Sequence, residues 1–406
     1  SMKKFFVLLI IVSLILGGIY LEFNNLFEYK EASGGLEEEI NDKDIDIFEP
    51  HKEPSTKTIS ILGVGDIMFH MPQIASAKLD DRTYDFNPPF KYVKKYIEEA
   101  DISMANFETV TAGNAGGFSG FPRFNSPTET VYALKETGFD ILSTANNHCL
   151  DGGKNGIIST IENIEDNGLK NIGTYKDDNK VLLIEEVGEI KIGFLSYTLG
   201  TNGLDSLLTS DELEYMVDRV DDEKKIKKDI DTLKDAQVDL ILAYIHWGTE
   251  YQNQPNSYQE KLGKKMVEWG VNIILGSHPH VVQRSEIIQH DGKDNYIIYS
   301  MGNFYSNQRY ETIGNPYTED SVMVKFIIEK DLDTNDTIIK DVVYIPTWIY
   351  RYQEDNQIKY LIFPIGSSGT VPSELSVELP DKIVERIKKS YEDTMNTIVG
   401  NNLLLK

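Results

Sequence analysis

The amino-acid sequence predicts a mixed α/β fold, a sandwich of β-sheets covered by helices. Short apolar runs bounded by Gly, Asn and Asp are typical of buried strands, and here they alternate with stretches of helical periodicity. After Asn303 the pattern changes to consecutive strands with no helix between them. Parallel strand–helix units followed by a meander are typical of mixed sheets flanked by helices.

The individual elements follow from the spacing of apolar residues. Five runs predict strands that lead into polar clusters: 59–64, 102–105, 140–144, 239–245 and 271–275. Helical spacing predicts helices over 92–100, 156–166, 222–236, 257–269 and 382–398, and the meander strands are 322–328, 338–345 and 358–365. The pattern Ser257-x-x-Glu260 predicts a capping box at the start of one helix.

Composition limits the classes of partner. The chain has 406 residues, enough for one large domain or two ordinary ones, and its 65 acidic and 40 basic residues give a net charge of −25. Such a surface repels nucleic acid and free polyanions at long range, so no nucleic-acid partner is expected. An anionic polymer would bind only where cations are concentrated, for example at bound metal ions.

A single cysteine, Cys149, excludes an internal disulfide framework and a cysteine-cluster metal site. Because it lies beside His148, two interpretations remain open. One is a reactive thiol, and the other is a small buried apolar residue.

The N-terminal segment predicts a membrane anchor. Lys3 and Lys4 precede an apolar stretch over 5–21. A helix of that length spans about 25 Å, marginal for a bilayer core of about 30 Å. We interpret 1–23 as an uncleaved signal anchor, with a cleaved signal peptide and a soluble core helix as alternatives. The basic flank predicts a single-pass protein of the cell membrane whose globular part is extracellular.

Polar residues follow the predicted strands at the point where each strand ends. Because ligand sites of open α/β sheets lie at the carboxyl ends of the strands, these side chains should meet at one rim. Asn106 and Glu108 are two residues apart in an extended segment, so they point to the same face. The set of predicted metal ligands is Asp66, Asn106, Glu108, Asn147, His246, His278 and His280.

Each member of this set has an ordinary structural interpretation when taken alone. Asp66 could cap a turn, and His246 could be a satisfied core histidine. The pair His278 and His280, stiffened by Pro279, has the spacing of metal ligands, and the combination is specific where no single residue is. Asp, Asn and His suit Mn, Zn or Fe, as one or two ions, and an unligated histidine could act as a general acid.

Six motifs in order resemble the CapA/PgsA family of poly-γ-glutamate capsule biosynthesis proteins. They are GDIM at 65–68, NFE at 106–108, ANNH at 145–148 with Asp151-Gly152, HWGTEY at 246–251, GSHPH at 276–280 and YSMGNF at 299–304. The resemblance runs from about Thr58 to Asn307. It implies a calcineurin-like metallophosphoesterase fold, a four-layer sandwich of two mixed β-sheets flanked by helices. The domains expected are then a signal anchor over 1–23, an acidic linker over 24–57, the metallophosphoesterase-like domain over 58–370 and a C-terminal helical extension over 371–406.

The resemblance also implies roles for the rim residues. Asp66 and His280 match ligands of one metal, and Asn147, His246 and His278 match ligands of a second. His148 matches the catalytic proton donor. We also expect Asn146, Arg123, Glu250 and Asn303 to contact substrate.

Two positions depart from the phosphoesterase pattern. Met68 stands where that pattern has an imidazole ligand, and His70 lies at the wrong spacing to replace it. Asn106 stands where the bridging carboxylate is expected, unless Glu108 substitutes for it. The second metal site therefore keeps more of its expected ligands than the first. We expect either one bound ion or a weakly held pair.

These features support two functions from different classes. One is an accessory component of poly-γ-glutamate or related anionic polymer synthesis or export, with the membrane, synthase or export subunits and the polymer as partners. The alternative is a surface-anchored metal-dependent hydrolase, most simply a phosphoesterase. A purely structural module is a third interpretation, but it leaves the polar rim unexplained.

Overall fold

The computed structural model describes residues 55–80 and 82–399. The predicted anchor over 1–23 and nearly all of the predicted linker lie outside the described residues. Within the described part of the chain, no helix is both long enough and apolar enough to cross a bilayer.

Fourteen β-strands lie within the described residues. In chain order they are β1 Thr56–Ile67, β2 Ile102–Phe107, β3 Ile141–Ser143, β4 Lys170–Ile172, β5 Leu183–Val187, β6 Ile190–Thr198, β7 Leu240–His246, β8 Ile273–Ser277, β9 Ser285–His290, β10 Lys293–Ile298, β11 Asn303–Tyr305, β12 Asp320–Asp331, β13 Asp336–Glu354 and β14 Gln357–Pro364.

The strands form two mixed sheets. The first has the order β14-β13-β12-β1-β2-β3-β4, with β11 also paired to β1. Strands β1 to β4 are mutually parallel, whereas β12, β13 and β14 form the antiparallel meander. The second sheet has the order β5-β6-β7-β8-β10-β9, in which β6, β7, β8 and β10 are parallel and the two outer strands antiparallel.

Helices cover the outer face of each sheet. The α-helices of the described residues are α1 Met71–Ala77, α2 Lys94–Glu98, α3 Glu129–Thr137, α4 Gly153–Asp166, α5 Ser210–Met216, α6 Glu223–Asp235, α7 Ser257–Trp269, α8 Tyr310–Ile313 and α9 Asp381–Val399. One apolar core lies between the sheets, and includes Ile61 and Met104 of the first and Leu242 and Leu275 of the second. Separate cores pack α1, α2 and α3 on the first sheet and α6 and α7 on the second. The predicted architecture of two mixed sheets flanked by helices is confirmed.

The sequence located most helices but not every boundary. Helix α7 has the predicted bounds, but its predicted capping box is wrong. Asn256 is the N-cap, its side chain accepts hydrogen bonds from the backbone N–H of Tyr258 and Gln259, and Ser257 is already helical. The helix predicted over 92–100 is reduced to the five residues of α2.

Two glycines allow strand ends to approach the segment that follows β10. A Cβ at Gly65 would lie 1.9 Å from the backbone oxygen of Gly302, and one at Gly276 would lie 1.9 Å from that of Tyr299. No side chain fits at either position. The backbone N–H of Asp66 donates to the oxygen of Gly302 at 2.9 Å, which fixes the carboxyl end of β1 at the rim.

Candidate metal centre

The fold brings the predicted ligands together at one rim between the two sheets. Asp66 lies at the end of β1, Asn106 lies in β2, Glu108 directly follows β2, and His246 is the last residue of β7. Asn147 and His148 follow β3, and His278 and His280 follow β8. Parallel strands therefore place these side chains together, as expected for the carboxyl ends of neighbouring strands.

Two fully buried carboxylates lie within the centre. Asp66 and Glu108 are both inaccessible to solvent. Asn106 lies between them, and its amide nitrogen donates to Asp66 Oδ1 at 2.8 Å and to Glu108 Oε2 at 3.1 Å. The oxygen of Asn106 instead accepts a hydrogen bond from the Asn146 side chain at 3.1 Å. In this arrangement Asn106 spaces the carboxylates and presents nitrogen to them, and its predicted role as a metal ligand remains a prediction.

Three imidazoles lie next to the carboxylates. The ring centroids of His246 and His278 are 4.7 Å apart, and those of His278 and His280 are 5.8 Å apart. Glu108 Oε1 lies 3.5 Å from His246 Nε2 and 3.7 Å from His280 Nε2. Both histidines of the loop have positive φ, 95° at His278 and 58° at His280, a conformation uncommon for non-glycine residues and often found at functional sites.

Supporting side chains orient two of the rings. His280 Nδ1 lies 3.1 Å from Asp66 Oδ2 and 3.0 Å from Asn303 Oδ1. His246 Nδ1 lies 3.0 Å from Ser277 Oγ, and its Nε2 lies 3.1 Å from Asn147 Oδ1. Partners of this kind fix the ring orientation and tautomer of histidines that bind metal.

Burial keeps two imidazoles neutral. It lowers the pKa of His246 well below its usual value, and the charges of His278 and His280 add to the effect. Burial, with the charge of His280, also lowers the pKa of His278 to about 3. For His280 burial also acts to lower the pKa, but the hydrogen bond and the charge of Asp66 outweigh it, and the pKa is raised. Neutral imidazoles have the free lone pairs that metal binding requires.

The environment of the Glu108 carboxylate favours a bound cation. Burial raises the pKa of its carboxyl well above the usual range, and the charges of Asp66 and Glu250 raise it further. Two buried atoms of the centre, Glu108 Oε1 and His278 Nδ1, have no hydrogen-bond partner among the residues that the structure describes. Unpaired buried polar atoms are rare and costly, and both a carboxylate oxygen and an imidazole nitrogen can be satisfied by a divalent cation.

Glu108 belongs to two potential ligand sets. Its ligand atom lies within 4.8 Å of those of His278 and His280, and also within that distance of those of Asp66 and His246. A carboxylate common to two sets is placed to bridge two ions or to hold one ion in either set. The donor set therefore fits a divalent metal ion, with oxygen and nitrogen donors and no thiolate.

His148 forms a dyad with Asp151 beside this centre. His148 Nδ1 lies 2.7 Å from Asp151 Oδ2, and the same oxygen accepts the backbone N–H of Phe124 at 2.6 Å. Because a carboxylate only accepts, Nδ1 carries the proton and Nε2 is left for chemistry. A buried carboxylate that orients a histidine in this way also stabilises the protonated ring.

The predicted substrate-binding residues occupy different environments. Asn146 and Asn303 are fully buried and bonded within the protein. Arg123 and Glu250 are exposed. Asn146 and Asn303 thus support neighbouring site residues, and only Arg123 and Glu250 are placed to meet a solute. All four roles remain predictions.

His70 lies at the wrong spacing in the sequence to replace the imidazole ligand missing at Met68, yet the structure places it near the site. Its ring packs edge-on against Phe124 at 5.1 Å, and Phe124 also packs against His148 at 4.7 Å. Burial is the largest cause that lowers the pKa of His70, to about 4. The backbone N–H of Asn307 lies 3.3 Å from His70 Nδ1, a contact that local sequence cannot reveal.

Cys149 is buried, and burial raises the pKa of its thiol to about 12. Nucleophilic cysteines need a lowered thiol pKa. Of the two interpretations left open by the sequence, the small buried apolar residue is the one that the structure supports.

The sequence of residues 60–308 matches the model of the family described as bacterial capsule synthesis protein PGA_cap. This match covers more than half of the chain. The protein is a member of the PGA_cap family. The expectation drawn from the six motifs, a resemblance to CapA capsule biosynthesis proteins, is thereby confirmed.

Two curated relatives illustrate the family. The chain is 28% identical over 368 residues to the capsule biosynthesis protein CapA of Bacillus anthracis, which covers 84% of this chain and 82% of that protein. It is 27% identical over 294 residues to the PGA biosynthesis protein CapA of Bacillus subtilis strain 168, which covers 69% and 70%.

Solved structures with some likeness include two phosphoesterases. A phosphatase of Mycoplasma pneumoniae is 15% identical with a TM-score of 0.44, over 72% of this chain and 95% of that one. The calcineurin-like phosphoesterase YfkN of Bacillus subtilis is 14% identical with a TM-score of 0.41, over 84% and 99%. Both likenesses are too weak to carry an argument about function.

The donor set predicts how metal content responds to substitution. Purified chain carrying Glu108→Gln or His278→Ala should hold metal at least 10- to 100-fold more weakly, the loss expected even for residues that only support a ligand. Elemental analysis after dialysis against a metal buffer measures this. His290→Ala, which removes a histidine of β9, is the control and should retain the wild-type content. Equal metal content in all four proteins would refute the assignment.

Proposed function

We propose that this protein is a metal-dependent component of the machinery that makes or exports an anionic capsule polymer, poly-γ-glutamate or a related chain. The observation that carries the proposal is a pair of buried atoms, Glu108 Oε1 and His278 Nδ1, that have no hydrogen-bond partner among the described residues and lie within a cluster of carboxylates and imidazoles. Membership of the capsule synthesis family supports the polymer as the context.

A metal ion would relieve a conflict between the site and an anionic partner. The chain carries a net charge of −25, and Asp66, Glu108, Asp151 and Glu250 lie in or near the site. Without a cation these groups would repel carboxylates and phosphates. Asp66, Glu108, His246, His278 and His280 would hold the ion, with Mn, Zn or Fe as the candidates from the donor types. When bound, the ion supplies positive charge that attracts and polarises an anionic group.

The location proposed for this activity is the outer surface of the cell membrane. Lys3 and Lys4 before the apolar stretch over 5–21 support a signal anchor with the globular part outside. Synthase or export subunits of the same membrane are the proposed protein partners. Such a location would hold the rim near a polymer as it leaves the membrane.

Loss of a ligand should therefore reduce capsule. Cells that produce Glu108→Gln or His278→Ala in place of the wild-type protein should carry about one tenth or less of the normal surface polymer, because ligand loss empties the site. Surface polymer is measured by immunofluorescence and normalised to the level of the protein itself. Cells with His290→Ala should have normal capsule. Normal capsule together with loss of metal in both ligand variants would sink the proposal.

A second candidate function, metal-dependent hydrolysis of a phosphoester, is favoured by the His148–Asp151 dyad. A polymer-binding surface alone does not need a histidine that a buried carboxylate orients at 2.7 Å. In this function the protonated ring of His148 donates its Nε2 proton to the leaving oxygen as water attacks phosphorus and the P–O bond to that oxygen breaks. The proton released by the attacking water then restores the protonated ring. Asp151 holds the ring and stabilises its charged form.

The dyad gives this candidate its own test. Asp151→Asn should lower turnover of bis(p-nitrophenyl) phosphate with Mn by about 10²- to 10⁴-fold and leave metal content near the wild-type value, because Asp151 orients the proton donor. Asp291→Asn, an exposed carboxyl after β9, is the matched control. If the wild-type protein has no turnover with Mn, Zn or Fe, or Asp151→Asn retains full activity, the hydrolase function fails and polymer handling stands alone.

A further inference from the structure

One side of the site is built by a short, rigid loop. Ser119 and Asn125 exchange backbone hydrogen bonds at 3.0 and 2.9 Å and close the loop over residues 120–124. The hydroxyl of Ser119 donates to the backbone oxygen of Arg123 at 2.7 Å. A Cβ on Gly120 would lie 3.0 Å from the backbone nitrogen of Met71, so the loop packs directly on the start of α1.

The loop is fixed to the His148–Asp151 dyad by two residues. The backbone N–H of Phe124 donates to the Asp151 carboxylate, and its ring packs against His148. The guanidinium of Arg123 donates to the backbone oxygen of Asp151 through Nε at 3.0 Å and Nη2 at 2.5 Å. Arg123 is therefore held in a defined place beside the proposed proton donor, although it is exposed.

Arg123 differs from other cations near the site because it has no acidic partner among the described residues. Lys154 pairs with Glu212 at 2.5 Å, and Arg309 pairs with Glu311 at 2.9 Å. Among the described residues, no carboxylate forms an ion pair with Arg123, and no acceptor engages its Nη1. A guanidinium has five N–H donors in a planar fork that matches a carboxylate or phosphate. The two donors used on Asp151 leave three for a solute.

We propose that Arg123 forms an anion subsite, which binds a second negative group of the substrate while the metal centre holds the first. This inference rests on the proposed function, because the first group needs the cation that the centre would bind. It assigns the substrate to a class, molecules that carry two anionic groups, such as adjacent repeats of an anionic polymer. An uncharged neighbour would leave the guanidinium without its acceptor.

The test compares matched ligands on the full chain loaded with Mn. The uncharged-tail probes are ethyl, propyl and butyl phosphate. Each is paired with a phosphate monoester of the same chain length whose alkyl chain ends in a carboxylate. All six are titrated calorimetrically at low salt. At least one carboxylated ester should bind wild-type protein about tenfold more tightly than its uncharged counterpart, the effect of a charge-assisted bidentate contact. Arg123→Gln should reduce that preference to about twofold or less while the plain esters keep their affinity. Lys154→Gln, which removes a neighbouring paired cation, should keep the full preference, and Arg123→Lys should retain part of it.

Several results would overturn the subsite. They are the absence of a preference in wild-type protein, an unchanged preference in Arg123→Gln, and an equal loss for both ester classes, which would mean that Arg123 only supports Asp151. If the Mn-loaded wild-type protein binds the plain esters but shows one of these results, the subsite fails and the proposed function survives. If it binds neither class, both fail together.

Discussion

The burial of Asp66 and Glu108 side by side is the constraint on which this site depends. Two carboxylates without solvent contact repel each other and lose hydration, and an uncompensated buried charge costs about 3–5 kcal/mol when its partner is removed. Asn106 donates to both carboxylates and relieves part of that cost, but it is neutral. The remaining cost falls on Glu108, whose pKa is raised by burial and whose Oε1 accepts no hydrogen bond from any described residue. A divalent cation is the group that balances this arrangement without rearranging it.

The fold holds these groups in place by making strand ends meet. Asp66 and His278 come from different sheets, so their approach depends on how closely the carboxyl ends of β1 and β8 pack against the segment after β10. Gly65 and Gly276 permit that approach because neither position has room for a Cβ. The imidazoles are then oriented by Asn303, Ser277 and Asn147, each of which is buried. The carboxylates and rings are thus pre-positioned, as a metal site with little reorganisation requires.

Much of this site could be predicted from the sequence because its members follow apolar runs. Asp66, His246, His278 and His280 were located in this way, and the alternation along β2 placed Asn106 and Glu108 on one face. The respective tasks of Asn106 and Glu108 could not be predicted, since they depend on which amide atom faces the carboxylates. His70 has the wrong spacing for a metal ligand. Its position near the site could not be predicted, because its contact with Asn307 spans 237 residues of sequence. Strand β5 is absent from the predicted strands because it lies at a sheet edge and is only half-buried, which weakens its apolar pattern.

Glu108 and the three imidazoles are proposed to bind a divalent cation. The most direct test of this proposal is a crystal structure of the protein soaked with Mn, with diffraction recorded on both sides of the Mn absorption edge. We expect an anomalous peak in contact with Glu108 and at least two of His246, His278 and His280, whether one ion or two is bound. An anomalous map with no peak among these residues, at a Mn concentration that loads the protein in solution, would contradict the proposal.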